Sequence, residues 1–176
     1  MHGFDGVTID DIAVEAGVSR RTFFRYFASK EDVLLADHQL RLEELQEAFG
    51  GRPREEPVLT ALRNALLSMA FDYEQERQRL LIRARVMAES PSLQARSLLR
   101  QRSWEDAVRA MVASRLEVDP ARDLRPAVVA ATTLAALRVA FTAWLAEEGR
   151  PQLLDLVAEA LDLLNGGLQQ VARPTP

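Results

Sequence analysis

The side chains best suited to chemistry lie near the start of the chain. Arg20, Arg21, Arg25 and Lys30 bring four positive charges to the stretch from Ser19 to Lys30, which holds no acid. Such a cluster suits a polyanion. Arginine's planar fork matches O6 and N7 of guanine, and one such pair discriminates between bases by roughly 1–3 kcal/mol. Arg20 and Arg21 are the candidates for that role. Thr22, Tyr26 and Lys30 carry the hydroxyl and ammonium groups that grip phosphate, which positions a protein without reading sequence. Phe24 can touch a thymine methyl, and Arg25 suits either phosphate or base. Thr8 has two possible jobs, helix cap and phosphate donor. His2 and His38 are the only histidines, and there is no cysteine. With no metal-ligand spacing and no glycine loop to cradle a phosphate, the chain is expected to be no enzyme and to need no cofactor or metal.

These side chains need elements to aim them. Thr8 with Asp11 forms a capping box that opens a helix carrying Ile9, Ile12 and Ala13 on one face. Gly17 can end that helix in the left-handed region at no Cβ penalty. Ser19 caps the next, where Phe23 and Phe27 share a face and the arginines point elsewhere. Two short helices about a glycine turn, the second with arginines in its first turn, form a helix-turn-helix. Ser29 with Asp32 then opens a long helix to about Phe49, ended by Gly50-Gly51 and Pro53.

Everything downstream reads as helix: about Pro57 to Tyr73, Arg77 to Ala88, Ser92 to Leu116 as one helix or two, Leu124 to Glu148, and Pro151 to about Val171. The expected class is all-α, with a small reading head over residues 1–48 and a helical ligand-binding and dimerisation body over 49–176. A chain of 176 residues that is 48% hydrophobic and 27% charged can bury a real core. Its net charge of −4 gives no global attraction to nucleic acid, so the local field around Ser19–Lys30 must do the steering. The absence of cysteine and of a cleavable leader predicts a cytoplasmic protein.

The run Ala127 to Ala146 is long enough to span a membrane, but Arg138, three threonines, heavy alanine content and Arg-rich flanks argue for a buried helix at a subunit interface. Leu134, Leu137, Phe141 and Leu145 form one stripe there. Leu153, Leu156, Leu161, Leu163-Leu164 and Leu168 supply another, predicting a homodimer through the last two helices. Two heads would then read a two-fold site.

The runs T-I-D-D-I-A, A-G-V-S-R-R-T-F-F-R-Y-F and S-K-E-D resemble the DNA-binding signature of TetR-type transcriptional regulators. The resemblance is close over about the first 35 residues and looser beyond. It implies a homodimeric repressor bound to double-stranded DNA and relieved by a small hydrophobic or acyl-type ligand in the body. Phe24 departs from the family's common tyrosine. The family also carries a full helix before the stretch that begins here as His2-Gly3-Phe4. This chain is expected to lack that helix, and an uncovered core of this size is marginal. The alternative reading is therefore a ligand-binding and dimerisation module with impaired DNA binding.

Met87, Leu98, Trp104, Val108, Met111, Phe141 and Trp144 are candidates for an apolar pocket, although cores contain such residues at helical spacing too. Arg138, in the most apolar helix, requires a partner: Asp155, Glu159, a second subunit or an anionic ligand. One of Arg83 and Arg85 is expected to face inward. The pattern R-x-M-A-E-S-P-x-L with the later tryptophans resembles a TetR subgroup, mycofactocin-regulator-like, that is linked to acyl-coenzyme A. That resemblance implies a long apolar ligand with an anionic head. His38 is expected on a helix surface.

Overall fold

The computed structural model describes residues 3–167, so His2, Leu168 and the predicted helix end at Val171 lie outside the described residues. Among the described residues the regular structure is all helix: α1 Gly3–Gly6, α2 Ile9–Glu15, α3 Arg20–Tyr26, α4 Lys30–Gly50, α5 Val58–Gln75, α6 Arg77–Glu89, α7 Pro91–Leu116, α8 Arg125–Ala146 and α9 Leu153–Asn165. The all-α expectation stands, and Ser92–Leu116 is one helix rather than two.

Before α2 the described residues hold no full helix, in line with expectation, but they are not bare. One turn, α1, is present and is tied down from two sides. Lys30 Nζ donates to the carbonyls of Phe4, Asp5 and Val7 at 2.9, 3.2 and 2.9 Å. Ser90 Oγ donates to Asp5 Oδ1 at 3.4 Å. A shallow groove lined by Val7, Asp11, Ile12, Glu15 and Ala16 stays open beside it.

Local signals set the head. Thr8 and Asp11 close the capping box on α2 in both directions, and Gly17 takes φ +64°. Ser19 caps α3 and Ser29 caps α4. Buried Phe23 meets Phe27 at 5.6 Å between centroids, holding α3 by its apolar face.

The body packs α8 against α7 and α9, and α5 against α4 and α9. By length and composition alone α8 could cross a membrane. Its inner face, with Ala130, Leu134, Leu137, Ala140 and Trp144, is instead part of the protein core. The predicted interface stripe therefore needs correction. Leu134 and Leu137 are buried within the chain, Phe141 and Leu145 pack against the core, and Leu153 and Leu161 are core as well. A helix apolar on every side gives no periodicity to say which face looks inward. The outward face carries Val128, Ala131, Ala135, Val139, Thr142 and Ala146.

Pro151 does not open α9, which begins at Leu153. It belongs to the turn after α8, where its carbonyl accepts a bond from Trp144 Nε1 at 3.1 Å. Gly149 makes that turn with φ +69°, and a Cβ there would lie 2.9 Å from Arg77 Nε and 3.0 Å from Trp144 Cζ2. Gly149→Ala is expected to cost more than about 1 kcal/mol, combining left-handed strain with a clash against a buried ring. A thermal melt checks this, and an unchanged midpoint would show that the ring yields.

Two arginines, Arg63 and Arg41, form ion pairs that reach distant parts of the chain. Arg63 forks onto Asp162 at 2.7 and 2.9 Å, joining α5 to α9 and holding the Asp162 carboxyl below its usual range. Arg41, buried on α4, donates to Glu44 at 3.0 Å and Glu76 at 2.9 Å and covers the Tyr73 ring at 4.7 Å. Burial works against its charge, but the bond to Glu44 and the charges of Glu44 and Glu76 outweigh it, raising its pKa above the ordinary arginine value.

Candidate nucleic-acid interface and body cavity

The head brings its basic residues to one exposed surface but commits some of them. Arg21 and Arg25 are exposed, as are Phe24 and Tyr26. Arg21 makes no hydrogen bond or ion pair among the described residues. Arg25 Nη2 donates to Tyr26 Oη at 3.1 Å while its guanidinium covers that ring at 4.8 Å. Arg20 Nη1 donates to both carboxylate oxygens of Asp10, at 2.9 and 2.8 Å, and its guanidinium stands 5.4 Å from the Phe24 centroid.

Three expected phosphate contacts have other occupations. Thr8 Oγ1 donates to Asp11 Oδ2 at 2.6 Å and accepts from the Asp11 amide, so capping uses the hydroxyl. Thr22 Oγ1 lies 2.9 Å from Ser19 Oγ, within the α3 cap. Lys30, expected at a phosphate, spends its ammonium protons on the three carbonyls at the end of α1 and stands over the Phe4 ring at 4.7 Å. Sequence spacing could not reveal this, because the bonds span 23 to 26 residues.

In the body, five helices surround a cavity of about 290 Å³. His38 comes from α4, Met69 and Tyr73 from α5, Arg83 from α6, and Ser97, Gln101 and Trp104 from α7. Leu134, Leu137, Arg138 and Phe141 come from α8. Four predicted ligand residues meet here: Arg83, Trp104, Arg138 and Phe141. The other four do not line this space. Val108 and Trp144 are buried core, Met111 is half-buried beside the end of α7, and Met87 is half-buried on α6. Leu98 is exposed.

Arg138 is corrected as well. Its side chain is exposed at the cavity edge rather than buried, and among the described residues it forms no ion pair with Asp155 or Glu159. Arg83 is the inward member of its pair, while Arg85 points out, 4.0 Å from Glu148. His38, expected on the surface, is half-buried and meets Trp104 edge-on at 5.5 Å. No acid appears among the described lining residues. The wall is apolar and aromatic with two guanidiniums, which favours an apolar ligand bearing an anion.

One connection was missed entirely at the sequence level. Arg96, Arg100 and Trp104, four residues apart on α7, follow α4 along its length. Arg96 lies 3.6 Å from Asp32 and donates to Ser29 Oγ at 3.3 Å. Arg100 lies 3.6 Å from Asp32 and donates to the Leu35 carbonyl at 2.6 Å. Trp104 Nε1 donates to the His38 carbonyl at 3.3 Å. The i, i+4, i+8 spacing was visible, but arginines so placed also make an ordinary solvated face.

Two family models match the chain, one near its start and one over most of the rest. Residues 1–36 match the family model described as bacterial regulatory proteins, tetR family, and residues 56–169 match the MftR C-terminal domain. A candidate mycofactocin biosynthesis transcriptional regulator, MftR of Mycobacterium tuberculosis, is 35% identical over 97% of this chain and 85% of its own. The HTH-type transcriptional regulator TcmR of Streptomyces glaucescens is 32% identical over 81% of this chain and 66% of its own. In fold, the chain is similar to the TetR family regulator PfmR of Thermus thermophilus, with a TM-score of 0.54 at 21% identity over 93% of this chain and 90% of that one.

Proposed function

This chain belongs to the TetR family of DNA-binding transcriptional regulators, and from that premise we propose a homodimeric repressor whose grip on a two-fold operator is relieved by a small hydrophobic or acyl-type ligand bearing an anion. It is a regulator rather than an enzyme, and it acts where the DNA is, in the cytoplasm. The reading head is assigned to residues 1–48 and the ligand-binding and dimerisation body to the remainder.

The observation that carries the ligand-relieved reading is that α4 serves both halves. It begins at the head and lends His38 to the cavity wall. Arg96, Arg100 and Trp104 attach it to α7, which lends Ser97, Gln101 and Trp104 to the same wall. A ligand that parts α7 from α4 thereby has a route to the head. It shifts the equilibrium only by its differential affinity for the two arrangements.

The dimer reading is supported by the outward face of α8. Ala131, Ala135, Thr142 and Ala146 are small there, while Val128 and Val139 are exposed, a surface suited to close helix packing across a two-fold axis. Leu163 on α9 is also exposed. One head alone buries too little surface for tight specific binding.

Selection of bound sequences from random duplex DNA, followed by titration of the selected duplex with decanoate and with benzoate, tests the proposal. The expected result is a two-fold site holding two chains, released by an apolar carboxylate in wild type and retained in Arg138→Ala. A half-site held by one chain would overturn the dimer. An occupancy that no apolar anion moves would overturn relief by ligand.

A further inference from the structure

We propose that Asp10, on α2, is a positioning residue for base recognition: its carboxylate locks the Arg20 guanidinium so that the free N–H fork faces a guanine edge. The inference rests on the family's DNA binding and adds a residue from outside the recognition helix.

Three observations support it. Both Asp10 oxygens accept from one nitrogen, Arg20 Nη1, at 2.9 and 2.8 Å. The Nε and Nη2 hydrogens take no partner among the described residues. A guanidinium has five N–H donors, so the edge left over is the two-nitrogen fork that fits O6 and N7 of guanine. The second observation is a floor. The Arg20 guanidinium stands 5.4 Å from the Phe24 centroid, and Phe24 is set edge-on to buried Phe23 at 5.6 Å and 88°. The third is exposure. The two side chains keep 59% and 63% of their surface open, so holding Arg20 does not hide it.

An acid beside the recognition helix is otherwise a liability, because it repels phosphate. A long arginine loses rotamer freedom when it docks on a base, and a fixed partner removes part of that loss in advance. In water an exposed ion pair contributes little to stability. Its effect belongs to the complex, where water is excluded and the guanidinium orientation decides the hydrogen bonds. Phe24, where a tyrosine is common in the family, supplies a flat face without a competing hydroxyl.

Asp10 also stands in the first turn of α2, where an acid favours the helix dipole. That role alone would affect stability but not base preference, so the test reads preference. Wild type, Asp10→Ala, Asp10→Asn, Arg20→Ala and the Asp10→Ala/Arg20→Ala double variant are put through selection from random duplex DNA, with thermal melts alongside. In wild type one guanine per half-site is expected to depend on Arg20. Asp10→Ala should lower preference for that same guanine by roughly 5-fold to 100-fold, with other positions unchanged. Asp10→Asn, which still accepts from Nη1, should retain part of the preference. The double variant should be no less selective there than Arg20→Ala. Unchanged preference in Asp10→Ala, with or without a lower melting point, would reduce the pair to a surface contact and overturn the proposal. So would a uniform gain in affinity for every sequence, which would make Asp10 a repulsive charge only. If wild type selects no sequence, base reading by this head fails as a whole, an outcome separate from failure of Asp10 alone.

Discussion

Arg21→Ala is expected to weaken binding to the selected operator by about 30-fold to 10⁴-fold. A well-placed arginine–guanine pair contributes roughly 1–3 kcal/mol of discrimination, and the proposed two-fold dimer would make the contact twice. Arg21 is the recognition-helix arginine with least to give up. It is exposed, lies in the first turn of α3 and makes no bond among the described residues that DNA must break. Arg25, by contrast, already holds Tyr26 Oη. Dissociation constants on the selected duplex, on single-base variants of it and on unrelated DNA at several salt concentrations separate the explanations. A base contact shows as a loss confined to the operator and flattened preference at one position. A loss shared by all sequences, with a salt slope shallower by about one per head, would make Arg21 a phosphate contact instead.

The head was largely legible in the sequence because its determinants are local. Capping at Thr8, Ser19 and Ser29 and the left-handed turn at Gly17 act over three or four residues, and each is present in the structure. What failed in the head depends on distant chain. Lys30 looks like a phosphate ligand until α1, more than twenty residues earlier, is placed against its ammonium. Asp10 drew no attention, because an acid in a first helical turn has a sufficient local reason to be there.

The body was legible as helices and only half legible as a site. Its cavity needs five helices in register, and composition does not say how each is rotated. Arg138 illustrates this. A mean over an apolar helix made it seem buried, whereas it lies where the inward and outward faces meet. The same ambiguity placed Leu134 and Leu137 on the wrong side of α8. Trp104 and Trp144 looked alike in sequence, yet one lines the cavity and the other fills the core.

Trp144→Ala is expected to destabilise the chain by about 3–5 kcal/mol, the range for emptying a large aromatic site in a core. The ring is 1% exposed and meets Phe141 at 6.1 Å. Its loss also strips the Pro151 carbonyl of the indole donor and leaves Gly149 turning over a void. For a chain of this size the thermal midpoint should fall by roughly 6–20 °C. The damage lies where α8 turns into α9, the two helices assigned to the dimer, so subunit association should weaken with it. Sedimentation should then show dissociation at concentrations where the proposed wild-type dimer stays paired. Operator affinity should fall although the mutation lies outside the head and every residue on α3 is intact. Raising protein concentration should restore part of that affinity, which it cannot do for Arg21→Ala if a base contact is lost. A midpoint within about 2 °C of wild type would mean that the body repacks around the gap. A lower midpoint with unchanged pairing would show that the α8–α9 turn stabilises the chain but does not hold the dimer.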